Sequence, residues 1–182
     1  QLYKEFDYGI KKIKESEEPF ILKIESISMH IPFDYVKEET DWIMEADSID
    51  MDARKYLNCV NYFDKCLGNF LKELKASGKY ENTVIAIMGD HCVPYKNFKF
   101  YSEHCPLIIL NSGCPSEKIP HPENMQQIDI YPTLLDLMGV NEYGWKGLGH
   151  SIFRSDEPND EDYLYGLSRK LILSEYFKYK RF

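Results

Sequence analysis

Residues 83–88 read TVIAIM, apolar and β-branched at almost every position. A strand with one face in water alternates apolar and polar side chains, so a run without alternation predicts a strand covered on both faces. Strands of that kind belong to sheets with helices packed on both sides, which narrows the chain to an α/β architecture. Gly89, Asp90 and His91 follow at once. A carboxylate and an imidazole closing an apolar strand must be solvated, paired or metal-bound, because burying them bare is costly.

The text before this strand is helical. Leu57, Val60, Phe63, Leu67, Phe70, Leu71 and Leu74 recur at spacings of three and four, which predicts an amphipathic helix starting at Ser48 or Asp50 and running to Ser77. Gly78 supplies its left-handed stop. Phe6, Ile10 and Ile13 mark an earlier helix over 2–14, ended by Glu17, Glu18 and Pro19. Residues 19–26, PFILKIES, read as a short buried strand that leaves through SMHIPFDY, and 33–47 as an acidic surface loop.

Residues 106–110, PLIIL, predict a second covered strand, and IDIYPTLLDLMG a helix with Asp129 or Ile130 near its start, Pro132 in its first turn and Gly139 at its stop. The tail over 163–182 alternates enough for one or two antiparallel strands. This order predicts an α/β fold with a mostly parallel sheet flanked by helices and a small C-terminal antiparallel element. Ligands of such sheets sit outside the carboxyl ends of the strands, so ESISMH and GDH are expected to open on one edge.

At 182 residues, 43% hydrophobic and 14% aromatic, the chain has the length and composition of one globular domain. Its net charge of -8 argues against a nucleic-acid partner, which would require clustered Lys and Arg. No window approaches the roughly 18 to 20 apolar residues of a spanning helix, and the first residues are too charged for a signal peptide. Five cysteines form no C-x-x-C pair. Cys59 and Cys66 fall in the helical pattern as buried thiols, while a disulfide among Cys92, Cys105 and Cys114 stays open.

Two sets of residues carry candidate chemistry. Asp90 and His91 pair a hard carboxylate with an imidazole, a donor combination suited to Zn or Mn; the alternative is a solvent-facing Asp beside a turn-forming His. His30 follows the strand at 19–26 and is placed to donate to an anionic oxyester, phosphate or sulfate, or else is a loop His satisfied by backbone. His104, His121, His150 and Lys99 read as surface residues. Cys92 opens CVPYK, which departs from the C-x-P-x-R of formylglycine sulfatases because its fifth residue is Lys96.

ESISMHIPF, YLNCVNYFDKCLGNFLKELKASGKYENTVIAIMGDH, CPLIILNSG, IDIYPTLLDLMGV and WKGLGHSIF occur in one order. Together they resemble the C-terminal half of the sulfatase-type domain of the alkaline phosphatase superfamily, within the branch of lipoteichoic acid synthase and related phosphoglycerol transferases. The resemblance implies that 1–153 is the C-terminal portion of that α/β domain, with 154–182 an acidic linker and strand segment of the same domain. By position, Asp90 and His91 match the family's metal ligands, and His30 its substrate-contacting histidine. The implied cofactor is a divalent metal: Mn, Zn, Mg or Ca.

The implied reaction is a two-step displacement at phosphorus or sulfur through a covalent intermediate, on a sulfated or phosphorylated glycan or lipid. His30 would stabilise charge or protonate a leaving oxygen. Two departures accompany the match. Cys92 stands where sulfatases and phosphoethanolamine transferases continue Asp-His with Gly. The family's nucleophile and acidic metal ligand precede the His30 strand, and residues 1–18 contain nothing like them. The resemblance therefore implies a fragment, inactive alone, of a membrane-anchored parent on the extracytoplasmic face of a bacterial membrane or in the periplasm. The alternative is a non-catalytic relative that binds an anionic glycan or lipid head group.

Overall fold

The computed structural model describes residues 2–37, 50–93, 95, 98, 101–115, 118–119, 125–140 and 149–154. The chain divides into two compact units, Gln1–Ile108 and Ile109–Phe182. The anticipated tail strands, Lys96, Lys99, His121 and much of the acidic loop lie outside the described residues.

The first unit is built on two helices, α1 (Leu2–Glu15) and α2 (Met51–Ala76). Leu2, Phe6, Ile10 and Ile13 form one stripe of α1 and bury against Cys66, Phe70 and Leu74 of α2. The rings of Phe6 and Phe70 lie 4.9 Å apart. The start of α2 is fixed by Asp50, whose Oδ2 accepts from the backbone N–H groups of Asp52 at 3.1 Å and Ala53 at 3.3 Å. Those donors have no partner within the helix, so the cap satisfies them. Gly78, at φ 74, ends the helix as its sequence position predicts.

A short 3-10 turn (Tyr80–Asn82) leads into β1 (Ile85–Met88), which pairs with β2 (Leu107–Leu110). The pair is antiparallel, whereas the sequence predicts a mostly parallel sheet. The reason is local: Gly89 N–H donates to Pro106 O at 3.1 Å, so the start of β2 lies beside the end of β1 and the chain returns alongside itself. A parallel neighbour would have needed a crossover to the opposite end. Coverage is also only partial, with Met88 and Ile108 both about half exposed.

Residues 19–26 differ from expectation too. They run without a strand partner among the described residues, and Phe20, Ile21 and Leu22 are exposed. Leu22 and Ile24 nevertheless approach α1 at Gly9, where a Cβ would stand 3.2 Å and 3.0 Å from their side-chain methyls. Gly9 leaves room for this segment to lie on the helix.

In the second unit a 3-10 turn (Gln127–Asp129) runs into α3 (Ile130–Leu137), which starts and stops as predicted, with Gly139 at φ 76. Asp129 and Thr133 are fully buried and hold the segment 149–154. His150 N–H donates to Asp129 Oδ1 at 2.8 Å, and Ile152 N–H to Thr133 Oγ1 at 3.2 Å. The Arg154 guanidinium donates to Asp136 at 2.8 Å.

Candidate functional site

Asp90 and His91 emerge where the β1–β2 pair ends. Gly89 is closely packed there: a Cβ would meet Pro106 Cδ at 3.3 Å and Cys105 Cβ at 3.5 Å. The two side chains beyond it face solvent, 91% exposed for Asp90 and 64% for His91. Burial therefore does not force a metal on this pair, and its arrangement decides what it can bind.

Asp90 Oδ1 accepts from the backbone N–H of His91 at 3.0 Å, which turns Oδ2 toward the ring. His91 Nδ1 lies 2.7 Å from Cys92 O. A carbonyl only accepts, so Nδ1 carries the proton and Nε2 presents a lone pair in the neutral ring. Nε2 and Asp90 Oδ2 are 3.8 Å apart. An ion about 2.1 Å from each donor can span up to about 4.2 Å between them, so the pair fits one divalent cation. The backbone carbonyl orients the imidazole as such supports do in metal sites. Among the described residues, no group of three or more His, Cys, Asp or Glu side chains is gathered to hold a metal.

Cys105 interacts with Cys92 and Asp90, and Tyr101 with Cys92. Partial desolvation, then a hydrogen bond with Cys92, hold the Tyr101 phenol above its ordinary 10.0. Burial first, then the negative charges of Cys92 and Asp90, push the Cys105 thiol above 9.0. All five cysteines are free thiols, with Cys59 and Cys66 buried.

His30 sits in a separate turn. Its Nδ1 lies 2.8 Å from Ile31 O and so donates to it, which leaves Nε2 the unprotonated nitrogen of the neutral ring. Two backbone bonds close the turn, His30 N–H to Ile27 O at 3.0 Å and Phe33 N–H to His30 O at 2.9 Å. Phe33 then anchors it. The residue lies at φ 62, is only 2% exposed, and packs its ring 5.3 Å from Tyr56 and 5.7 Å from Tyr95. Its carbonyl accepts from the Cys59 thiol at 3.6 Å. The surface loop anticipated from Phe33 onward thus begins with a core residue. Sequence reasoning missed Phe33, Tyr56 and Cys59 as supports of the His30 turn, although Cys59 stands on the buried stripe of α2.

His104 and His150 are exposed, and each uses its backbone N–H, to Ser102 Oγ at 3.1 Å and Asp129 Oδ1 at 2.8 Å. Neither ring joins Asp90 in a donor group of the described residues.

Asp90 and His91 at the end of β1, with the imidazole braced by Cys92 O, and His30 in its turn are the candidate site residues. The chain belongs to the sulfatase family, whose model, described as Sulfatase, matches residues 1–140. It is similar to the lipoteichoic acid synthase-like YvgJ of Bacillus subtilis (strain 168), 30% identical over 174 residues, which are 84% of this chain and 28% of that protein. Lipoteichoic acid synthase 1 of the same organism is 28% identical over 83% of this chain and 26% of its own length. A sulfatase of Formosa agariphila is 29% identical over 66% of this chain and 25% of its own length. The chain thus spans about a quarter of the length of these relatives. No solved structure matches it at comparable significance. The family implies an alkaline-phosphatase-like α/β fold, consistent with the helices and strand pair seen here.

Proposed function

We propose that this chain carries part of the active site of a metal-dependent sulfatase or phosphoglycerol-transferase-like enzyme that cleaves sulfate or phosphate esters through a covalent intermediate. The observation that carries this reading is the 3.8 Å separation of Asp90 Oδ2 and His91 Nε2, with Nδ1 tied to Cys92 O, at the end of β1 in a chain of the sulfatase family. A bound divalent cation, Mn, Zn, Mg or Ca, supplies charge neutralisation at the ester oxygens and activates a nucleophile.

The chain's own residues have two tasks. Asp90 and His91 hold the cation side of the site. His30 contacts the anionic ester oxygens through Nε2; since Nδ1 is already donating to Ile31 O, an Nε2–H donor requires the doubly protonated ring. That cationic ring complements a sulfate or phosphate and can return its Nε2 proton to a leaving oxygen. The reading needs a nucleophile and further metal donors besides these residues. The enzyme is proposed to act on a sulfated or phosphorylated glycan or lipid at an extracytoplasmic membrane face. Among the described residues, no helix is long and apolar enough to cross a membrane.

The test is metal content and turnover of the protein encoded by the intact reading frame, before and after Asp90→Ala and His91→Ala. Loss of bound metal together with turnover of glycerol phosphate or sulfate esters is expected. Wild-type metal content and turnover in both variants would overturn the site. Ester binding without turnover by the unaltered protein would instead select the non-catalytic binding relative.

A further inference from the structure

Four aromatic rings close into a cycle between the two parts of the candidate site. Phe33 packs edge-on against Tyr56 at 5.3 Å and 68°, and tilted against Tyr95 at 5.7 Å. Tyr95 stacks on Phe98 at 4.9 Å with planes 6° apart, and Phe98 meets Tyr56 at 6.3 Å. Each ring therefore touches two others. Stacked and edge-on pairs with centroids about 4.5–7 Å apart are the arrangements in which aromatic side chains attract one another. Phe33 and Phe98 are buried, so the cycle is part of the core and not a surface cluster.

The cycle joins three stretches that are far apart in sequence. Tyr56 belongs to α2. Phe33 follows His30 by three residues and closes its turn, while Tyr95 follows His91 by four. The Tyr95 segment continues through Phe98 N–H to Tyr95 O at 3.1 Å and Tyr101 N–H to Phe98 O at 3.0 Å. A chain reaches at most about 3.6 Å per residue, so Phe33 lies within about 11 Å of His30 and Tyr95 within about 14 Å of His91. His30, Asp90 and His91 are themselves exposed. Packing does not place such side chains, so their positions follow from the backbone on either side, and here both backbones are tethered to the same rings.

We propose that Tyr95 is a positioning residue of the site: through its contacts with Phe33 and Phe98 it ties the segment after His91 to the turn that carries His30, and so sets the histidine relative to the Asp90–His91 pair. The inference rests on the functional reading above for what those three residues do, whereas the tie itself is a matter of packing. Two groups that act on one ester must be held in register, and a misplacement of about 1 Å can cost about a hundredfold in rate. Tyr95 touches no reacting atom in this account. It acts through His30.

The test uses the protein encoded by the intact reading frame, with Tyr95→Ala and Tyr95→Phe. Hydrogen exchange reads the packing: Tyr95→Ala removes two ring pairs and should speed exchange of the His30 and Phe33 amides by about tenfold or more. Amides of the α2 core around Leu74 should keep their protection, and Tyr95→Phe, which keeps the ring, should keep that of the turn. Turnover reads the positioning. In Tyr95→Ala, kcat/KM for a glycerol phosphate or sulfate ester should fall about ten- to a hundredfold with bound metal unchanged, while Tyr95→Phe stays within a few-fold of the unaltered protein. Should Tyr95→Ala fail to fold, Tyr95→Leu gives the same comparison with apolar volume kept. Turn amides indifferent to loss of the ring would overturn the proposal, as would a loss of bound metal that matches the loss of turnover. An unaltered protein without metal or turnover would instead sink the functional reading, and the turn amides would still decide whether the tie exists.

Discussion

The backbone N–H of His150 donates to Asp129 Oδ1 at 2.8 Å across 21 residues of sequence, while Asp129 Oδ2 accepts from Gln126 N–H at 2.8 Å. One fully buried carboxylate therefore caps the turn before α3 and pins the segment 149–154 to it. Hydrogen bonds to a charged acceptor contribute more than neutral ones, and removing the acceptor leaves two part-buried donors without it. Asp129→Ala should destabilise the second unit by about 2–4 kcal/mol, with Asp129→Asn losing less. Urea unfolding measures the cost, and faster exchange of the His150 amide identifies the broken clasp.

Gly149 stands beside that clasp. A Cβ there would fall 1.9 Å from Ile128 O and 2.9 Å from Asp129 N, both backbone atoms with no rotamer to yield. Gly149→Ala should cost about 1–3 kcal/mol or more through forced backbone shifts. A melting temperature equal to that of the parent chain would show that the segment can move aside.

Much of this was readable in advance, and the exceptions have physical causes. The α2 boundaries, Gly78, Gly139 and the start of α3 were legible because capping and periodicity are local. The strand direction was not: apolar runs 83–88 and 106–110 identify strands, but their mutual sense depends on a connector whose path leaves no local signature. The position of Asp90 and His91 just past a strand end was legible from a composition break. Phe33 stands at the start of a polar, acidic stretch, and only its partners Tyr56, Cys59 and Tyr95, distant in sequence, show that it is core.

Phe33 gives the third prediction. Because it carries the His30 turn into an aromatic cluster, Phe33→Ala should cost about 3–5 kcal/mol and also release the turn. Phe33→Leu keeps apolar volume and should retain more of both. Amide exchange at His30 and Phe33 separates loosening of the turn from a general loss of stability.

Cys59 lies beneath the same turn, and burial raises its thiol above the ordinary 9.0. The sign follows from which state holds the proton longer. As pH rises past 9.0 the unfolded thiol ionises first while the folded thiol stays neutral, so stability present at lower pH is progressively lost. Tyr56, raised above 10.0 chiefly by burial, extends the loss to higher pH. Alkylation of Cys59 should be slower than that of the part-exposed Cys92 and Cys114, and Cys59→Ser should change the alkaline limb of the stability curve. An unchanged limb would place the sensitivity elsewhere.

Cys92, next after His91, separates the backbone's role from the side chain's. His91 Nδ1 is braced by the Cys92 carbonyl, which any substitution retains, whereas the Tyr101 phenol interacts with the Cys92 thiol. In the protein encoded by the intact reading frame, Cys92→Gly should therefore leave binding of Mn or Zn within a few-fold of the unaltered protein while His91→Ala abolishes it, as read by calorimetry. The Tyr101 phenol should at the same time titrate closer to 10.0, since the hydrogen bond and negative charge that raise it are gone. If Cys92→Gly removed metal binding as thoroughly as His91→Ala, the thiol rather than the carbonyl would be the working group, and the donor set at the end of β1 would have to be redrawn around sulfur.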